Sequence, residues 1–376
     1  MTDDAGTAPR IEEATAAELG RGLVAEFDAG DMLGAIAGLP DQLTTGFAVA
    51  RERLAGVFEG AGPAAPPARP TGLAVFGMGG SAICADLILA AAGVGVPAAV
   101  VRGYEVPAWV GPETLVIAAS YSGETEETLA CAATALERGC SPVCIASGGT
   151  LAALAGDRGL ALVTVPGGGQ PRASVGYLAM PILAALSAAG LTAPADADVV
   201  EAAELLHAGN EEFGPDATGA GNAAKTLAAR LYRRQAVVYG AGLTVPAARR
   251  WKAQINENAK APAFWNELPE LDHNELMGWT SLPHVAAASL AVFLEDGKSD
   301  ERLRRRAALT MGELESRGVE CAHVAARGAS RLARLFSLVQ LGDYASFYLA
   351  LLYGVDPTPV GAIQDFKAKL AGGAGD

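Results

Sequence analysis

Between Trp251 and Trp279 the chain reads WKAQINENAKAPAFWNELPELDHNELMGW, with Glu257 between Asn256 and Asn258 and His273 between Asp272 and Asn274. Carboxylates and imidazoles are the side chains that most often move protons near neutral pH. His273 is one of four histidines, and this polar run stands in a chain that is 51% hydrophobic and 19% charged. Trp251, Ile255 and Ala259 recur at intervals of four, which predicts a helix with one apolar face. Pro262 cannot continue that helix, so Glu257 belongs to its last turns and His273 to the loop beyond. A solvated helix end followed by a polar loop has the same pattern. This stretch alone leaves both readings open.

A second group suits an anion. Ser120, Ser122 and Thr125 surround Gly123, after a short apolar strand at 115–119 and before a helix beginning near Glu126. Hydroxyls and free N–H groups at a helix start fit a phosphate, and the helix dipole favours its charge. Capping would explain one hydroxyl, not three beside a glycine turn. Gly77-Met78-Gly79-Gly80 follows another strand, 73–76, and lets backbone approach a small ligand closely. It is a weak dinucleotide signal, because Arg102, not an acid, follows the strand at 98–101. The loop PGGGQP, 166–171, then presents Arg172.

Short apolar strands alternating with helices position these groups. Strands are predicted at 73–76, 98–101, 115–119, 142–146 and 160–165, then at 236–239, 290–294 and 319–324. That alternation predicts an α/β fold of two tandem parallel sheets, each with helices on both faces. The first unit spans 36–194 and the second 195–355, behind an acidic segment at 1–35 and ahead of a tail at 356–376. The third strand of the second unit ends in Glu295-Asp296, where two carboxylates would repel a phosphate. The anion site therefore belongs to the first unit. A proline-rich stretch, 62–70, reads as a linker, and 334–353 as a long apolar helix.

The 28 basic and 42 acidic residues give a net charge of −14, which argues against nucleic acid or an anionic membrane as partner. The uncharged run 173–195 is broken by Pro181, Gly190 and Pro194 and predicts a buried helix, not a membrane span. Cys84, Cys131, Cys140, Cys144 and Cys321 lack paired metal-ligand spacing, and their odd number suits reduced thiols in a cytoplasm. The opening residues do not form a signal peptide.

GMGGSA at 77–82, SYSGETEET at 120–128, QPRASVGY at 170–177, NENAK at 256–260 and DHNELMGW at 272–279 together resemble the bifunctional phosphoglucose/phosphomannose isomerase family. That family is built from two sugar-isomerase (SIS) domains with flavodoxin-like sheets. The resemblance runs from about Leu73 to the C-terminus, whose DPTPVGAIQDFKAKL is also similar. It implies a homodimeric aldose–ketose isomerase that interconverts glucose 6-phosphate or mannose 6-phosphate with fructose 6-phosphate through an enediolate, without metal or other cofactor. Gly79, Gly80 and Ser81 would line the sugar-phosphate pocket, and Ser120, Ser122 and Thr125 would hold the phosphate. Glu257 would shuttle the proton between C1 and C2, and Arg172 would stabilise the enediolate. His273, reaching the partner subunit's site, and Lys367 would assist ring opening. Lys369 is the alternative lysine, on another helix face. Glu124 stands where the family is expected to carry asparagine, facing the phosphate loop.

Another class of protein remains to be weighed, a sugar-phosphate-binding regulator that has lost catalysis. Such regulators pair a sugar-isomerase domain with a helix-turn-helix module. The basic run 302–306 lies inside the second α/β unit, with no such module around it. The isomerase half of an amino-sugar synthase would want an amidotransferase domain as well.

Overall fold

The computed structural model describes residues 16, 19–60, 64–217 and 221–372. The first part of the acidic N-terminal segment and the start of the proline-rich stretch lie outside them. The chain opens with helices α1 (Arg21–Phe27), α2 (Met32–Ala37) and α3 (Leu39–Leu54). Next come β1 (Gly72–Phe76), α4 (Gly79–Ala92), β2 (Ala98–Val101), β3 (Thr114–Ala119) and α5 (Glu126–Glu137). They are followed by β4 (Val143–Ala146), α6 (Gly149–Arg158), β5 (Leu162–Thr164), α7 (Val175–Ala188), α8 (Asp196–Phe213) and α9 (Ala223–Leu231). The second sheet begins with β6 (Gln235–Ala241), α10 (Val245–Asn258) and β7 (Ala263–Leu268). Short helices α11 (Glu275–Gly278) and α12 (Pro283–Ala287) lead to β8 (Ser289–Glu295), α13 (Glu301–Ser316) and β9 (Glu320–Ala325). The long α14 (Arg331–Leu352) and terminal α15 (Gly361–Gly372) complete the order.

Every strand pairing is parallel. The first sheet has the order β2-β1-β3-β4-β5 and the second β7-β6-β8-β9. Side chains alternate between faces along a strand, so one strand feeds two layers. Leu73 and Val75 of β1 face one core, with α4 and α7, while Ala74 and Phe76 face Val116, Cys131 and Ala135 on the other side. In the second sheet Val238, Val292 and Leu294 turn towards α10 and α14, and Val237, Tyr239 and Phe293 towards Leu271 and Leu314. The inner faces of both sheets contribute to one continuous core. That shared core, of helices α3, α4, α7, α8, α10 and α14, holds the two sheets in a fixed relation.

The uncharged run folds as α7, with Pro181 inside the helix and eleven of its residues buried. Among the described residues one helix, α14, is long and apolar enough to cross a membrane, but 94% of its apolar window is buried in the protein. One strand departs from the expectation. Residues 263–268, AFWNEL, were expected to be loop and instead form β7, parallel to β6. As an edge strand β7 is only part-buried, with Phe264 exposed and Asn266 and Glu267 half-buried, so it lacks the unbroken apolar run of a central strand.

Candidate active site

The first sheet reverses its winding between β1 and β3, and the turns after those two strands lie side by side at its C-terminal edge. Open parallel sheets bind ligands in such a crevice. Gly79 has φ of +49° with open space where a Cβ would sit, so glycine belongs there and the backbone stays accessible. At Gly80 a Cβ would meet the Pro171 carbonyl at 3.2 Å, so this glycine lets α4 pack against the turn that carries Arg172.

The three hydroxyls have different duties. Ser120 is fully buried, donates to Thr125 Oγ1 at 2.8 Å and accepts from the amide of Gly123 at 3.1 Å. It shapes the loop from beneath. Thr125 is the N-cap of α5, and the exposed Ser122 accepts from the amide of Glu124. Above them lie the free first-turn N–H groups of α5. Ser81 is buried and accepts from the amide of Tyr121, tying the glycine turn to this loop. Tyr121 extends the chain, since its hydroxyl accepts from the amide of Gly169 in the loop before Arg172.

Glu124 corrects an expectation. Its side chain turns away from the loop, and its two carboxylate oxygens accept from the amide and the hydroxyl of Thr150, each at 2.8 Å. Thr150 lies in the first turn of α6, whose dipole stabilises a carboxylate there. The acid latches two neighbouring loops together.

Arg172 sits in a 3₁₀ turn, Pro171–Ala173, and is 4% exposed. Its Nε donates to Asn258 Oδ1, its Nη2 to the carbonyls of Pro357 and Thr358, all at 2.8 Å, and its Nη1 to Gln170 Oε1 at 3.2 Å. One Nη1 hydrogen is left, and Nη1 lies 3.6 Å from Glu257 Oε2. Burial lowers the guanidinium's pKa, and the Glu257 charge opposes that shift. Glu257 stands in the last turn of α10, about one-third exposed, as the helix-ending role of Pro262 required. The flanking asparagines have structural duties: Asn256 caps the helix end on the Ala261 carbonyl, and Asn258 bridges Arg172 to Ser346.

His273 is not brought to Glu257 within the chain. α10 runs back to the N-terminal edge of the second sheet, and β7 then carries the chain to the opposite edge, roughly 17 Å away. His273 is exposed there, in a 3₁₀ turn at Glu270–His273. Lys367 and Lys369 both lie on α15 and are exposed. His323 pairs with Glu295, and Asp296 with Arg334, at the edge of the second sheet matching the first sheet's hydroxyl loop. Among the described residues no three His, Cys, Asp or Glu side chains group to hold a metal ion. Sequence reasoning did not single out Asn258, Lys260 or the tail carbonyls. Asn258 and Lys260 were visible as members of NENAK; carbonyls leave no mark in a sequence.

Two parallel sheets on a common core, with a hydroxyl-lined helix terminus in one and a carboxylate–guanidinium pair between them, define a tandem SIS protein of the phosphosugar isomerase class. Residues 220–370 match the bacterial phospho-glucose isomerase C-terminal SIS domain. The chain is 40% identical over 300 residues to the bifunctional phosphoglucose/phosphomannose isomerase of Caldicellulosiruptor bescii, across 79% of this chain and 88% of that one. It is 37% identical to the enzyme of the same name from Aquifex aeolicus, across 80% and 90%. A hypothetical protein from Thermus thermophilus shares the fold, with a TM-score of 0.74 at 19% identity over 96% of this chain and 94% of that one. The chain belongs to the bifunctional phosphoglucose/phosphomannose isomerase family.

Proposed function

We propose that this protein interconverts glucose 6-phosphate and mannose 6-phosphate with fructose 6-phosphate at a single site. The observation that carries the reading is the Arg172–Glu257 pair, a buried guanidinium with one uncommitted hydrogen beside a half-buried carboxylate. Glu257 takes the proton from C2 of the open-chain aldose and returns it to C1. Negative charge develops on the enediolate oxygens in between, and a donor already fixed in place stabilises it without reorganisation. The phosphate lies at the start of α5, on Ser122, Thr125 and the first-turn amides, with Gly79 and Gly80 opposite and Ser81 and Ser120 bracing from below.

Glucose and mannose 6-phosphates differ only at C2, and the planar enediolate erases that difference. Rotation of the intermediate decides the face to which the proton returns. In this reading the protein is a homodimer, with His273 of the partner subunit and Lys367 assisting ring opening. The relatives' names support the same two sugars. A coupled assay of the purified protein with all three hexose 6-phosphates tests the proposal. Binding of all three without turnover would favour the regulator instead.

A further inference from the structure

Lys260, the last residue of NENAK, has no part in the chemistry above. It follows Ala259, the C-cap of α10, with φ of +56°. Helices that end in this left-handed conformation ordinarily place glycine there, because a Cβ is disfavoured. A lysine in that position asks what its side chain does. Its Nζ donates to the carbonyl of Glu257 and, at 3.0 Å, to the carbonyl of Pro357, 97 residues further on. The first is one of the unpaired carbonyls at the end of α10, where a cation is favoured. The second is the carbonyl that also accepts from Arg172 Nη2 at 2.8 Å.

We infer that Lys260 is a positioning residue, which clips the C-terminal tail at Pro357 to the end of α10 and so keeps Arg172 aimed past Glu257 and not paired with it. This rests on the reading of Arg172 and Glu257 as the reacting pair. Both Nη2 hydrogens of Arg172 end on tail carbonyls, Pro357 and Thr358. If the tail lifts, both lose their acceptors at once inside a buried pocket. The nearest anion is then the Glu257 carboxylate, already 3.6 Å from Nη1. A direct ion pair would use up the donor meant for the enediolate and make the carboxylate a weaker base. Burial and the Arg172 charge also lower the pKa of Lys260, while Asp356 and Glu257 oppose that shift.

Three substitutions in the full chain test the clip: Lys260→Gly, Lys260→Met and Lys260→Arg. Glycine suits the backbone, so Lys260→Gly should melt no lower than wild type, which separates the clip from general damage. In both the glycine and methionine variants kcat should fall roughly tenfold to a hundredfold with little change in KM. The other charges around the pair, Arg250, Asp343 and Asp356, remain in all three variants. Lys260→Arg, able to reach both carbonyls, should recover most of the rate. Amide hydrogen exchange at Thr358 and residues 360–364 supplies a readout independent of activity, and it should quicken in the glycine and methionine variants. Unchanged exchange would overturn the clip even if the isomerase reading stands. Quickened exchange with wild-type kcat would overturn the coupling to Arg172. Failure of Glu257 as the base would appear separately, as full turnover in Glu257→Gln, and failure of the isomerase reading as no turnover of any hexose 6-phosphate by the wild-type protein.

Discussion

Asp343 of α14 accepts from Nη2 of Arg250 with both carboxylate oxygens, at 2.9 and 2.7 Å, and the same nitrogen donates to the Arg172 carbonyl at 2.8 Å. Gln254 adds a fourth contact, to Asp343 Oδ1. The ion pair is almost wholly buried, so it lies under Arg172 and fixes its backbone. Removing one partner strands the other charge. Arg250→Met should cost about 3–5 kcal/mol in urea unfolding, and adding Asp343→Leu should recover part of that loss. A single variant as stable as wild type would show that the pair holds nothing.

Glu257→Gln keeps the shape of the side chain and removes the proposed base. Turnover should drop by about 10²–10⁴, with substrate affinity nearly unchanged. Both aldose activities should fall in parallel, and each sugar should inhibit the other with a constant near its own KM. Loss of one activity alone would mean two sites.

Ser122→Ala with Thr125→Ala should chiefly raise KM for the phosphorylated sugars, because these hydroxyls lie at the start of α5 and not at the reacting carbons. Glu124→Ala should raise KM as well, by freeing the loop from Thr150. Steady-state kinetics on each variant check this; a fall in kcat without a rise in KM would place the phosphate elsewhere.

Because β7 separates Glu257 from His273 within one chain, a site built from both requires two chains. Glu257→Gln and His273→Ala variants, each inactive alone, should regain activity when unfolded and refolded together. One site of each mixed dimer is then intact, and random pairing restores about a quarter of wild-type activity. No recovery would remove His273 from the partner's site.

Burial pushes the thiols of Cys84 and Cys144 up to about 12. The thiolate is the nucleophile, so neither should react with iodoacetamide in the native protein at pH 8, and both should react in denaturant. The unfolded chain releases these protons near pH 9 and the folded chain only near 12. The unfolded state therefore binds fewer protons across that window, and stability should fall as pH rises through it. A urea midpoint constant from pH 9 to 10.5 would contradict the shift.

Much of this molecule was legible before folding. The three inner strands of the first sheet, β1, β3 and β4, announce themselves because each is buried on both faces, so its residues form a continuous apolar run. Trp251, Ile255 and Ala259 marked the inner face of α10, and each is nearly inaccessible. That period of four put Glu257 on the part-exposed side of the helix, and Pro262 put it near the end. Strand β7 escaped because Asn266 and Glu267 interrupt its apolar run, as an edge position permits, and its identity depends on the neighbour it pairs with.

Amino-acid types and local spacing determined which residues were available for chemistry: a carboxylate at a helix end, hydroxyls at a helix start, and an arginine after a glycine loop. Only the tertiary structure decided their partners. Arg172 meets Glu257 because α4, α7, α10 and α14 pack into one core across the two sheets. By its place in the sequence Glu124 is expected to face the hydroxyl loop, but the free end of α6 draws it to Thr150. Lys260 finds its role in the Pro357 carbonyl. Periodicity reports which way a side chain points from its own helix or strand. Contacts between distant segments, and those made to backbone carbonyls, arise only when the chain closes on itself.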